Sequence, residues 1–342
     1  MKYLFIGGVG HSGTTMLNHI FSSHSLALTT KGESRVAESL PMLQEEYAGI
    51  ASKSAKYKFI ADIIYFGYRF KKDKFYNPDD DNNPYWQSDF DLDVLTDDLS
   101  ADVRKVILET LQRTGKSLFV EKTPSNVFFH KNILKLVPDA KVIIIHRDVR
   151  DVVASLKKRY QTLLTNPEVF SHNLETKKLD KDYNLVIDSH LWAKAAKSEA
   201  AIKGQVTIVK YEDFVSNPET ELKKLCSWLE IEFEPAMLSL KSRNSANQEE
   251  VKIAGVTDHS VGSYRKTLSA AEIAVVQKYA GKYLHEFGYE LDKVGAKDKI
   301  SATMLEVQSY GKVGVRVLKR LRLMKPKYAL RFAKNLIYKL KI

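Results

Sequence analysis

The chain has 342 residues, 44% of them hydrophobic and 28% charged, with 53 Lys and Arg against 42 Asp and Glu. These are the proportions of an ordinary soluble globular protein, long enough for one large α/β domain or two smaller ones. The single cysteine, Cys226, excludes disulfides within the chain and a cysteine-based metal site, and no apolar run reaches membrane-spanning length.

The first element is a short apolar run, Tyr3 to Ile6, too brief for a signal-peptide core and better read as a buried strand. A reducing, cytoplasmic location follows as the default. Gly7, Gly8, Gly10 and Gly13 then leave the turn almost without side chains. Ser12, Thr14 and Thr15 add hydroxyls, and Met16 to Ile20 has helical periodicity. A glycine loop between a strand and a helix lets backbone N–H groups close on an anion at the helix N-terminus. The plainer reading of the same residues is a tight turn packing a strand on a helix.

Leu26 to Thr29 is a second strand candidate, followed by Lys-Gly-Glu-Ser-Arg and a helical pattern from Arg35 to about Tyr47. Lys56 to Lys72 is aromatic and basic and suits another helix. Asn77 to Asp98, with two prolines and the run Asp79-Asp80-Asp81, suits a long surface loop. The Asp run lacks the glycine and ligand spacing of a calcium loop. Ser100 is the expected cap of a helix that runs to Thr114 and stops at Gly115. Leu118 to Glu121 is a third strand, and Ser125 the expected cap of the helix that follows it. Lys141 to Ile145, with four successive β-branched residues, is the clearest strand. His146-Arg147-Asp148 and a helix from Val149 to about Tyr160 come next. Gln161 to Asp182 is polar and irregular. A helix from Asn184 to Ile202 and a strand from Gln205 to Val209 lead to Asn217-Pro218, which opens a helix to Leu229. Ser269 with Glu272 forms a capping box for a last core helix ending near Gly288.

Strands alternating with helices predict an α/β fold, a three-layer sandwich with a mostly parallel central sheet, similar to that of P-loop NTPases. Ligands of such sheets sit beyond the carboxyl ends of the strands. Those ends, in order, carry Gly7 to Thr15, Glu33, Lys122, Arg147 and Tyr211. The loop resembles a Walker A motif but lacks the Gly-Lys-Ser/Thr ending, whose lysine reaches the β- and γ-phosphates. A smaller anion on the nest fits better than a magnesium triphosphate. Arg147 suits bidentate grip of a second phosphate, with Ser155 two turns into the following helix and Arg150 nearby. The alternative for Arg147 is an ion network with Asp148 or Asp151.

The stretches Gly-x-x-His-Ser-Gly-Thr-Thr-Met-Leu and Ile-His-Arg-Asp-x-Arg-Asp-Val-Val-Ala-Ser resemble the two phosphate-binding motifs of sulfotransferases that use 3′-phosphoadenosine-5′-phosphosulfate (PAPS). Glu121-Lys122-Thr123-Pro124, Lys210-Tyr211-Glu212-Asp213-Phe214 and Val261-Gly262-Ser263-Tyr264-Arg265-Lys266 are similar to further stretches of that superfamily. The likeness is greater to its carbohydrate- and protein-tyrosine-type members than to the small-molecule cytosolic ones, and it implies a sulfotransferase domain over residues 1–291. It also implies that Gly10, His11, Ser12, Gly13, Thr14 and Thr15 hold the 5′-phosphosulfate. Arg147 and Ser155 would hold the 3′-phosphate, Arg265 and Lys266 would cover that phosphate or the adenine, and Tyr211 would line the nucleotide site. Lys122 would neutralise charge at the sulfuryl group, and Glu33 would be the general base, with Glu38 as its substitute. His11 stands where relatives usually carry Arg or Lys, which makes its protonation, or Lys122, the source of positive charge there. The implied reaction is in-line displacement, which needs no metal in principle and yields 3′-phosphoadenosine-5′-phosphate (PAP). For Glu33 the competing reading is a helix N-terminal charge paired with Arg35.

Two rival functions are a P-loop-type kinase and a non-catalytic PAP-binding protein of the membrane surface. The acceptor, a hydroxyl on a carbohydrate, glycolipid or peptide, is not written in any motif. Lys312 to Ile342 carries eleven basic residues and no acidic one, leaving 42 basic against 42 acidic residues elsewhere. Its alternation with Val, Leu, Ile and Phe suggests two short basic helices suited to an anionic membrane surface. A helix packed on the body is the alternative. Nucleic acid is disfavoured because the body adds no basic excess.

Overall fold

The computed structural model describes residues 1–30, 32–65, 67, 83–165, 183–199, 206–239, 256 and 258–323, the last eight as helix backbone only. In chain order the elements are β1 (Lys2–Gly8), α1 (Thr14–Ser22), β2 (Ala27–Thr29), α2 (Val36–Ala48), α3 (Lys53–Tyr65) and α4 (Leu99–Arg113). Next come β3 (Leu118–Lys122), α5 (Asn126–Leu136), β4 (Lys141–His146), α6 (Val149–Thr165), α7 (Leu185–Glu199) and β5 (Val206–Lys210). The chain closes with α8 (Tyr211–Ser216), α9 (Pro218–Leu229), α10 (Tyr264–Thr267), α11 (Ala270–Glu286) and α12 (Ala296–Leu323). Two compact units divide them. One holds Met1–His146, Ile202–Ser242 and Ala254–Val256, the other Arg147–Ala201, Arg243–Ile253 and Thr257–Ile342.

The first unit is built on a five-stranded, all-parallel sheet in the order β2-β3-β1-β4-β5. β1 lies at its centre and is buried on both faces, which is why Leu4, Phe5 and Ile6 read as an unbroken apolar run. Strand alternation sends Leu4, Ile6, Leu118, Val120, Ile143 and Ile145 into one layer with Leu17, Ile20 and Phe21 of α1 and Phe214, Leu222 and Leu229 of α8 and α9. The opposite face carries Phe5 and Phe119, whose rings meet edge-on at 5.8 Å, and Tyr85 closes on Phe119 at 6.4 Å. The sheet is thus covered on both sides, as the alternating pattern predicts.

Tyr85 marks a difference from expectation. The described part of the Asn77–Asp98 stretch is anchored rather than a surface loop. Tyr85 is fully buried, and Phe90 stacks on Tyr57 of α3 at 4.0 Å. The run Asp79–Asp81 lies outside the described residues. Helix starts also differ. Asp98, not Ser100, caps α4, its carboxylate accepting the Ser100 N–H. Ser125 precedes α5 without capping it, because its hydroxyl donates to Glu38 Oε2 at 2.9 Å instead. The Ser269–Glu272 capping box of α11 is present as predicted.

The second unit is helical. Trp192 of α7 is buried. Lys157 of α6 pairs with Glu272 of α11 at 2.7 Å, and Lys278 of α11 with Glu306 of α12 at 2.8 Å. The expected short basic helix from Lys312 is not separate. It is the end of α12, which begins at Ala296 because nothing in the sequence breaks helical periodicity between them. Residues 324–342, the site of the second expected helix, lie outside the described residues.

Cys226 lies on the α9 face turned to the sheet. Burial, with the Glu234 carboxylate adding to it, pushes its thiol up to about 11. Because the thiolate is the reactive form, the native protein is expected to resist a maleimide at pH 7.5 and to label only on unfolding. Mass spectrometry with and without denaturant checks this.

Candidate active site

All five strands run the same way, so their carboxyl ends share one edge. β1 leads into the glycine loop. Gly8 has φ 153° and lies so close to β4 that a Cβ would fall 2.6 Å from the Ile145 carbonyl. His11 takes the left-handed region at φ 69°, where a β-carbon costs of order 1 kcal/mol. Gly13 follows at φ 103°. A Cβ there would lie 2.8 Å from Cδ2 of Tyr211, so the ring at the end of β5 packs directly on the loop. The Ser12 N–H donates to the Val9 carbonyl at 3.0 Å, closing the turn. α1 then begins with no side-chain cap and no acidic residue in its first turn. Its first N–H groups carry the positive end of the helix dipole. Ser12 and Thr14 are buried, while Thr15 is exposed.

The ends of β2 and β3 supply charge. Lys122 Nζ donates to Glu33 Oε1 at 3.0 Å, and Arg35 Nη2 donates to Glu33 Oε2 at 3.0 Å. Arg35 also lies 3.5 Å from Glu38. Glu33 thus pairs with Arg35, as the competing reading expects, and also meets Lys122. These groups are part-buried. Lys122 does not pair with Glu121, because successive strand residues point to opposite faces. Lys122 faces α1, where its ammonium, second to burial, holds His19 below the usual histidine range.

Glu121 points the other way and is buried. It accepts from Ser34 Oγ at 2.8 Å, the Ser34 N–H at 3.2 Å, Thr123 Oγ1 at 2.5 Å and Asn126 Nδ2 at 2.8 Å. Burial pushes its carboxyl up, and the donors oppose that. Thr123 Oγ1 also accepts the Arg35 N–H at 3.2 Å, at a residue whose φ is 52°. Glu121 thus ties the segment carrying Glu33 and Arg35 to the end of β3 and the start of α5.

In the second unit, Arg147 is buried. Its Nη2 donates to the Ser260 carbonyl at 2.9 Å, and its own carbonyl accepts from Trp192 Nε1 at 2.8 Å. Asp151 accepts the N–H groups of Gly262 and Tyr264 at 2.7 and 2.8 Å, and so holds the 262–264 turn on α6. Burial raises its carboxyl, and Arg147 draws it back. Arg150 serves the fold. It binds Asp148 at 2.7 Å, pairs with Asp292 and lies 4.6 Å over the Tyr264 ring. Arg265 is exposed and its guanidinium also lies over the Tyr264 ring, at 4.7 Å, with Lys266 exposed beside it. Ser155 is half-buried on α6.

A model of the Sulfotransferase family matches residues 4–235. The chain belongs to the sulfotransferase family. The matched span contains the glycine loop, Glu33, Lys122, Arg147, Ser155 and Tyr211, while Arg265 and Lys266 lie beyond it. A comparison with curated proteins finds no match. Among solved structures, this sulfotransferase is similar to the sulfotransferase domain from the curacin biosynthetic pathway (16% identity, TM-score 0.49, covering 85% of this chain and 99% of that one). It is also similar to the sulfotransferase domain of the Synechococcus PCC 7002 olefin synthase (16%, TM-score 0.47, 85% and 95%). A third is a sulfotransferase from Mycobacterium avium (16%, TM-score 0.43, 85% and 78%).

Within the first unit, Gly13 and Tyr211 come together, as do Glu33 and Lys122. Within the second, Arg147 and the turn before Arg265 are both held to α6. Residues given no site role from the sequence are the positioning ones: Ser34, Thr123, Asn126 and above all Glu121. The one available signal was an acidic residue closing an apolar strand, since a carboxylate there needs buried donors. Among the described residues, no group of three or more His, Cys, Asp and Glu is arranged to hold a metal ion.

Two outcomes are expected from this geometry. Gly13→Ala combines a left-handed φ with a clash on Tyr211 and costs about 1–3 kcal/mol, whereas Gly10→Ala, with no atom within 4 Å of its Cβ, stays within about 0.5 kcal/mol. Urea denaturation of the two variants compares them. His19 favours its neutral form in the fold, so its contribution is complete above the unfolded pKa of about 6.5 and declines as pH falls below it. Lys122→Gln raises the His19 midpoint partway towards the ordinary value, leaving the burial effect. An NMR titration of the ring measures it, and an unmoved midpoint would contradict the placement of Lys122.

Proposed function

We propose that this sulfotransferase moves a sulfuryl group from PAPS to a hydroxyl of a carbohydrate, glycolipid or peptide acceptor. The observation that carries the reading is the glycine loop on the uncapped start of α1, without a Walker lysine but with Lys122 against the same helix. That arrangement suits a compact anion held by backbone N–H groups and one ammonium. The residues fit the 5′-phosphosulfate: Gly10 to Thr15 supply the nest and hydroxyls, His11 lies within it, and the Tyr211 ring walls it. Arg147 and Ser155, with Arg265 and Lys266, are assigned the 3′-phosphate end from their motif.

In the proposed step the acceptor oxygen attacks sulfur, the sulfur–phosphate oxygen bond breaks, and PAP leaves. Glu33 takes the acceptor proton, and Lys122 offsets charge on the leaving oxygen. Arg35 shares its guanidinium between Glu33 and Glu38, which holds the base in place. A cytoplasmic setting, where PAPS would reach the site from the surrounding solution, completes the reading.

Thermal shift with PAP, ADP and ATP–magnesium tests the donor: PAP is expected to stabilise and ATP–magnesium to have no comparable effect. A response to ATP–magnesium alone would overturn the reading in favour of a kinase. With radiolabelled PAPS and a cell extract as acceptor source, Glu33→Gln is expected to lower transfer by about 10²–10⁴-fold while PAP still stabilises the variant. Equal transfer by Glu33→Gln and the parent would remove Glu33 as base and bring Glu38→Gln to the same assay.

A further inference from the structure

α12 has its faces in an unusual arrangement. Ala302, Glu306 and Ser309 form its buried face. Glu306 is held by Lys278 of α11, and the Ser309 carbonyl accepts from Asn184 Nδ2 at 3.0 Å. These ties fix the rotation of the helix within its unit. Half a turn away, Ile300, Met304, Val307 and Val315 are 65%, 65%, 68% and 53% exposed. At 1.5 Å per residue the stripe runs for about 22 Å. A helix that buries small and polar residues and shows apolar ones outward is the reverse of a solvent-facing helix. The sequence that follows is as one-sided in charge. From Lys312 onward there are eleven basic residues and no acidic one, interleaved with Leu, Phe and Ile, although the rest of the chain is balanced.

We infer that the outward stripe of α12 and the basic segment after it form a docking surface for an anionic lipid membrane. The apolar side chains would enter the headgroup boundary, and the lysines and arginines would meet acidic headgroups. The occupant is argued from charge: a stripe used to pair with a second copy of this chain would bring two such basic segments together, with no acidic residue in either to offset them. Among the described residues no helix is long and apolar enough to cross a membrane.

The test is flotation of the full chain with vesicles of phosphatidylcholine alone or with 30% phosphatidylserine. Binding is expected only with phosphatidylserine, falling at least tenfold in 0.5 M salt because exposed charges are screened. The triple variant Ile300→Ser, Met304→Ser, Val307→Ser alters only exposed side chains and is expected to lose at least tenfold in binding with an unchanged melting temperature. No flotation on phosphatidylserine vesicles, or undiminished flotation of the triple variant, would overturn the inference. So would a concentration-dependent dimer in analytical ultracentrifugation that the triple variant abolishes.

Discussion

The arrangement at the sheet edge depends on one buried carboxylate. Glu121 closes an apolar strand in the centre of the first unit, where an ionised group without partners would cost several kcal/mol. Four donors converge on it, from the Ser34 backbone and hydroxyl, Thr123 and Asn126. Asn126 reaches further and donates to the Ile6 carbonyl on β1 at 3.1 Å. One side chain therefore joins the end of β3, the start of α5, the central strand and the segment before α2. Glu33 and Arg35 flank Ser34 in that segment. Their position is a consequence of where Glu121 finds its hydrogen bonds.

Strand alternation then divides the work between neighbours. Leu118 and Val120 face α1, and so does Lys122. Phe119 faces the other layer, and so does Glu121, below Tyr85. A pair that looks in sequence like a local salt bridge is split across the sheet. Lys122 is released towards the glycine loop's helix and meets Glu33 there, while Glu121 becomes structural. The physical requirement is only the two-residue period of a strand. A single insertion in β3 would exchange the two roles and place a lysine among the donors that Glu121 needs.

The sheet was legible in the sequence because buried parallel strands are short apolar runs, and β1 and β4 are little else. The glycine loop was legible because close approach to Ile145 and Tyr211 leaves room only for hydrogen at Gly8 and Gly13. What could not be read were contacts between residues far apart in sequence. Tyr85 enters the core from a stretch rich in Asp, Asn and Pro, and composition hides one anchoring ring among many polar residues. The left-handed backbone of Arg35 has no local signature, since it follows from the Thr123 hydroxyl held by Glu121. Helix caps were misplaced by two residues at α4 because Asp98 and Ser100 are equally good capping residues, and only tertiary placement selects between them.

The second motif shows the same separation of roles on a smaller scale. Arg147 and Arg150 are three residues apart, and both could grip a phosphate by residue type. Arg150 is enclosed by Asp148, Asp292 and the Tyr264 ring, and these neighbours push its pKa up although burial alone would lower it. Removing it would strand two carboxylates, so it is a member of the fold. Asp148 is bound by the Arg150 guanidinium. Asp151 is likewise satisfied by the N–H groups of Gly262 and Tyr264. Arg147 directs one guanidinium nitrogen to the Ser260 carbonyl, and its charge draws the Asp151 carboxyl down. The motif's run of two arginines and two aspartates is therefore divided between Arg150, held with Asp148, and Arg147, whose charge acts on Asp151 while it donates to the Ser260 carbonyl.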